Sequence, residues 1–143
     1  KKQYIKLLQI SGLLTRERDK LRAELKEAPK NINLIQTLAY VDIFTNDFDE
    51  SYKLYNEVID EFKINDAGTL FLASVAATGA NKITNAIALL ELTKLNDPSA
   101  VENRAALGFM YQQIDNIKAA LIQYSKIGNV GYNNEFYDFM IDN

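Results

Sequence analysis

Few side chains of this 143-residue chain stand at spacings that could do chemistry, and the most suggestive of them are carboxylates. Asp47, Asp49 and Ser51 alternate as the first ligands of a calcium loop do, because a hard cation gathers several oxygens from one short turn. The central Gly of such a loop is missing, and Lys53 and Val58 fall where ligands are needed, so no calcium site is expected. The adjacent acids Asp60 and Glu61 would need an apolar cleft to separate their pKa values before they could share acid–base work, and the sequence around them supplies none. Gly128-Asn129-Val130-Gly131 is too short for a phosphate loop and follows a helical pattern, so it reads as a helix stop. The chain has no His, Cys or Trp. That removes the imidazole base, the thiol nucleophile, the Cys/His zinc site and the disulfide framework. No enzyme activity, metal or cofactor is expected.

The elements that would position any other site must come from the rest of the composition. Only 2 Pro and 6 Gly among 48% hydrophobic and 24% charged residues describe a folded domain of ordinary size, with a core to explain. The net charge of −3 hides an asymmetry: residues 1–30 carry 9 basic and 4 acidic side chains, and the remainder 7 basic and 15 acidic. An acidic body argues against nucleic acid as a partner, since phosphates are neutralised by clustered Lys and Arg, and only the first segment keeps that option or an anionic membrane surface open. Glu17, Asp19, Glu24 and Glu27 interleave with its cations, so packing within the chain is the expectation there. No apolar run is long enough to span a bilayer. Lys1 begins the chain without Met or a signal pattern, so it reads as a soluble piece of a larger protein, cytoplasmic or periplasmic, with the compartment undetermined.

The dominant periodicity is helical. Leu34, Leu38 and Val41, then Phe48, Tyr52, Tyr55, Ile59 and Phe62 follow the three-and-four spacing of one buried face. Breakers at Asn46-Asp47, Asn65 to Gly68, Gly79 to Asn81, Asn96 to Pro98, Asp115-Asn116 and Gly128 to Gly131 cut the chain into helices of about a dozen residues joined by short turns. Such helices pack as antiparallel hairpins. Ser51, Ala86 and Ala120 are small residues 35 and 34 positions apart, each followed four places later by Tyr55, Leu90 or Tyr124. An apolar residue, Phe48, Ile83 or Ile117, stands three places ahead of each. A small residue lets two helices approach where they cross, and the flanking large ones fill the gaps.

Three units in phase at this period resemble the tetratricopeptide repeat. Leu107-Gly108, Tyr111, Ala120 and Tyr124 carry the resemblance best, Ala86, Leu90 and Asp97-Pro98 carry it in the second unit, and Leu38-Ala39, Phe48, Ser51 and Tyr55 in the first. Asp42 and Ala77 depart from it where Tyr111 conforms, and the family's early Trp is missing throughout. The resemblance implies an all-α, right-handed solenoid of stacked hairpins over 1–143, with repeats at 32–65, 66–99 and 100–132. Residues 1–31 are a helical extension, or a degenerate capping hairpin with Thr15 capping a helix from Arg16 to Glu27; one long helix is the alternative. Residues 133–143, with Phe136, Tyr137 and Met140, are a capping helix or the start of a further repeat.

It further implies a non-enzymatic module that binds a protein or peptide along the concave face lined by the first helices. The residues expected there are Gln36, Tyr40, Ile43 and Phe44, then Phe71, Val75 and Thr78, then Ala105, Phe109, Gln112 and Gln113. Aromatics flanked by amides suit an extended or helical peptide. Alternatively, Phe71 and Val75 belong to the core and residues 1–28 fill the groove. The family's clamp for chaperone C-terminal carboxylates uses Lys, Asn and Arg, whereas Gln36, Tyr40, Leu72, Glu102 and Ala106 occupy the matching places, so an acidic C-terminal tail is not the expected ligand. Self-association or assembly through the ends of the stack is the competing structural role.

Overall fold

The computed structural model describes residues 12–129, and the apolar stretch Tyr4 to Ile10 and the helix expected at 133–143 lie outside them. The described residues are helical without strands: α1 (Leu14–Glu27), α2 (Ile32–Phe44), α3 (Phe48–Asp60), α4 (Ala67–Gly79), α5 (Ile83–Asn96), α6 (Val101–Gln113) and α7 (Ile117–Asn129). The chain is all-α, with consecutive helices paired as tetratricopeptide-like hairpins.

The turns inside the hairpins repeat in backbone conformation as well as in sequence. Asn46, Asn81 and Asp115, again 35 and 34 apart, all take left-handed angles, with φ of 63°, 61° and 60°. Asn and Asp tolerate that region better than other side chains with a Cβ, and a left-handed residue just past a helix lets the backbone fold back on the last turn. The N–H of Asp47 then donates to Asp42 O at 2.8 Å, and that of Asn116 to Tyr111 O at 2.9 Å, satisfying carbonyls that the helix end would orphan. Side-chain caps start some of the helices: Asn31 accepts from the Leu34 N–H, Asp66 from Thr69 and Asn116 from the Ala119 N–H.

Two compact units divide the chain, one from the residues up to Asn65 together with Val75–Asn81, the other from Asp66–Ser74 together with the residues from Lys82 onward. In the first unit, α1 packs on α2 and α2 on α3. Leu14, Leu21, Leu38 and Val41 form its core, with Leu25, Leu34, Tyr40, Phe44 and Leu54 packed against them. The small residue of α3 does what its spacing predicts: Ser51 is buried and its Oγ donates to Ala39 O at 2.6 Å, binding the two helices where they cross.

In the second unit, α5 packs on α6 and α6 on α7, around buried Leu90, Leu107, Met110, Ala120, Tyr124 and Ile127. Within this unit close approach is sharpest at Gly108, where a Cβ would stand 2.3 Å from Cε1 of Tyr124.

Two local expectations are corrected. Thr15 caps nothing: α1 begins at Leu14, and Thr15 lies inside its first turn. An unbroken helix through the N-terminal segment is excluded at Gly12, whose φ of +75° cannot continue a helix. At the other end, α7 is described as far as Asn129, inside the Gly128–Gly131 segment read as a helix stop.

Candidate functional site

The first-helix residues expected to bind a partner fall in both units. In the first, Tyr40 and Phe44 stand one turn apart on α2, their rings 5.2 Å apart and edge-to-face at 66°. Both are half-buried and lean on the core that Leu14 and Leu21 of α1 help to build. Gln36, Ile43, Val75 and Thr78 are also half-buried.

In the second unit, Phe71 is half-buried and Phe109 is open, with 47% of its surface exposed although Leu107 and Met110 beside it on α6 are buried. Gln113 is exposed. Gln112 has structural work: its Oε1 accepts the hydroxyl proton of Tyr124 at 2.9 Å, which satisfies the one polar atom of a core aromatic. Ala105 and Tyr111 pack against the cluster of Ala120, Tyr124 and Ile127.

The basic first segment is folded into electrostatic contacts within the chain. Arg18 reaches Asp47 at 2.8 Å, and Arg22 reaches Glu50 at 2.8 Å and Asp47 at 3.5 Å, tying α1 to the start of α3. These partners raise the pKa of both guanidinium groups. Burial alone would raise the Asp47 carboxyl, but hydrogen bonds from Thr45 and Arg18 hold it below the ordinary carboxylate value. Asp47 stands where α3 would take a cap and makes no capping bond there. With Asp47 paired to arginines and Ser51 bonded to Ala39 O, two of the three residues of the calcium-like pattern are committed elsewhere. Among the described residues no three acidic or metal-binding side chains converge as a metal site would require.

Beneath this network lies a group that sequence reasoning treated only as a departure from the repeat pattern. Asp42 is buried completely, and neither of its carboxyl oxygens accepts a hydrogen bond among the described residues. Burial, with Glu50 and Asp47 nearby and Arg22 in opposition, pushes its pKa up to about 9. Burial therefore favours the protonated acid in the folded chain, with the carboxylate of Glu50 nearby. An acid at the place where the other two units have Ala77 and Tyr111 was the visible signal.

No family model and no curated protein matches the sequence. Solved structures do match in fold. MamA from MSR-1 aligns at a TM-score of 0.78 with 19% identity, over 86% of this chain and 70% of that one. Residues 41 to the end of MamA from Desulfovibrio magneticus RS-1 align at 0.76 with 20% identity, over 90% and 72%. A further MamA crystal structure aligns at 0.78 with 14% identity, over 96% and 80%. MamA is a tetratricopeptide-repeat protein, and at these identities the likeness establishes the fold. Among the described residues no helix is long and apolar enough to cross a membrane.

Proposed function

We propose that this chain is a non-enzymatic protein-interaction module that takes a peptide or partner protein on the faces of its first helices. Gln36, Tyr40, Ile43 and Phe44 would contribute in the first unit together with Val75, and Phe71, Phe109, Gln112 and Gln113 in the second. The observation that carries this reading is Phe109, a large aromatic left 47% exposed on a helix whose neighbouring apolar residues are buried. Aromatic anchors of this kind concentrate binding energy in interfaces. The fold supports it too, because stacked helical hairpins offer long side-chain surfaces for recognition. The test is affinity capture with the wild-type chain and Phe109→Ala in parallel. A specific partner retained by the first and lost by the second supports the reading, and equal retention by both removes Phe109 from the binding surface.

A second reading, assembly through α7, has its own observation. Phe48, at the start of α3, lies against Gly79 of α4 so closely that a Cβ on the glycine would stand 2.2 Å from its ring. The place of Phe48 in the repeat is taken by Ile117 in α7, which is 51% exposed, and Ile114 and Leu121 beside it are exposed too. This row would accept a helix as Phe48 does. Ile117→Lys should leave the melting temperature nearly unchanged and abolish any concentration-dependent association seen in sedimentation; association that persists would exclude this face.

A further inference from the structure

Three of the α1 cations, Arg18, Arg22 and Lys26, and Lys30 just past the helix follow a four-residue interval and face the same way. Opposite them α3 presents acids: Arg18 pairs with Asp47, Arg22 with Glu50, and Lys30 with Glu61 at 2.8 Å and Glu57 at 3.8 Å. The series is broken once. Lys26 has no ion-pair partner among the described residues, and in α3 the residue between Glu50 and Glu57 that reaches the same place is Leu54. At this gap lies an open groove of about 350 Å³, lined by Lys26 and Leu54 with Leu25, Pro29 and Leu38, and bounded by Arg22 and Glu50. Its volume falls at the small end of ligand sites.

We propose that this groove binds a small amphiphilic monocarboxylate, a hydrocarbon chain ending in one carboxylate. The carboxylate would supply to Lys26 the negative charge that Leu54 withholds, and the hydrocarbon would cover the leucines and Pro29. Because Arg22 is already engaged by Glu50, Lys26 is the cation free to select the anion. A polypeptide is a poorer occupant, since the lining beyond Arg22, Lys26 and Glu50 is apolar and would strip water from backbone amides without offering them partners. None of the residues assigned to the proposed function lines this site, so either can fail without the other.

The test is calorimetric titration of the whole chain with octanoate as the probe, beside octanol, acetate and N-acetyl-leucine. Octanoate should bind saturably, octanol at least tenfold more weakly, and acetate not measurably. Lys26→Gln, at an exposed position and expected to melt as the wild type does, should reduce octanoate to the affinity of octanol. Leu54→Glu, which completes the ion-pair series within the chain, should also abolish octanoate binding. Octanoate binding that survives Lys26→Gln, octanol binding as tightly as octanoate, or no saturable octanoate binding would overturn the proposal. N-acetyl-leucine binding more tightly than octanoate would also overturn it, in favour of a polypeptide terminus.

Discussion

Gly108 of α6 and Tyr124 of α7 touch so closely that the tyrosine ring occupies the space a Cβ on residue 108 would need, 2.3 Å from Cε1. The ring cannot simply swing away, because it is buried and its hydroxyl is held by Gln112. Gly108→Ala should therefore cost about 1 to 3 kcal/mol through overpacking. Combined with Tyr124→Leu, the alanine should cost measurably less than it does alone, a coupling that a double-mutant cycle in denaturant reads directly. Strict additivity would mean the two residues do not share this contact.

The ion pairs between α1 and the start of α3 make a salt-dependent prediction. Arg18 and Asp47 are both largely shielded from solvent, with side-chain exposures of 18% and 28%. Arg18→Ala should lower stability by about 1 kcal/mol in low salt and by clearly less in 1 M NaCl, where screening has already weakened the pair. An equal loss at both ionic strengths would assign the effect to packing of the arginine stem.

Asp42 makes stability fall with pH. Its carboxyl has a pKa of about 9 when folded and the model-compound value of 3.8 when exposed. Below pH 3.8 the group is protonated in both states. As pH rises from there towards 9, the unfolded chain releases this proton while the folded chain retains it, so the stabilisation is progressively lost. Asp42→Asn keeps the shape but cannot ionise. Its melting temperature should exceed the wild type by a margin that widens from pH 5 to pH 9, and a constant margin would show that Asp42 does not titrate in this way.

What the sequence made legible follows from where the constraints are local. Ser51, Ala86 and Ala120 announce the helix crossings because only a small side chain fits there, and Asn46, Asn81 and Asp115 announce the turns because a left-handed backbone selects Asn and Asp. The all-α tetratricopeptide-like fold could be read from those two sets. Asp42 could not be placed, since its burial depends on how α1 lies over α2, and no spacing within either helix reports that. Nor could the structural role of Gln112: nothing in its place on a first helix reports that its amide oxygen accepts the hydroxyl of Tyr124, twelve positions away. The cap expected from Thr15 failed because α1 starts two residues before Arg16, with no side-chain cap at all.

The most direct test of the proposed function compares Phe109→Ala with Tyr124→Ala, thermal melting first and partner retention second. Tyr124 is buried, and its truncation should cost about 3 to 5 kcal/mol and lower the melting temperature severely. Phe109, 47% exposed, should melt within a few degrees of the wild type and still lose about 1 to 3 kcal/mol of partner affinity. A Phe109→Ala chain that melts as early as Tyr124→Ala, or one that stays folded and keeps its partner at full affinity, would contradict a binding surface built on the first helices.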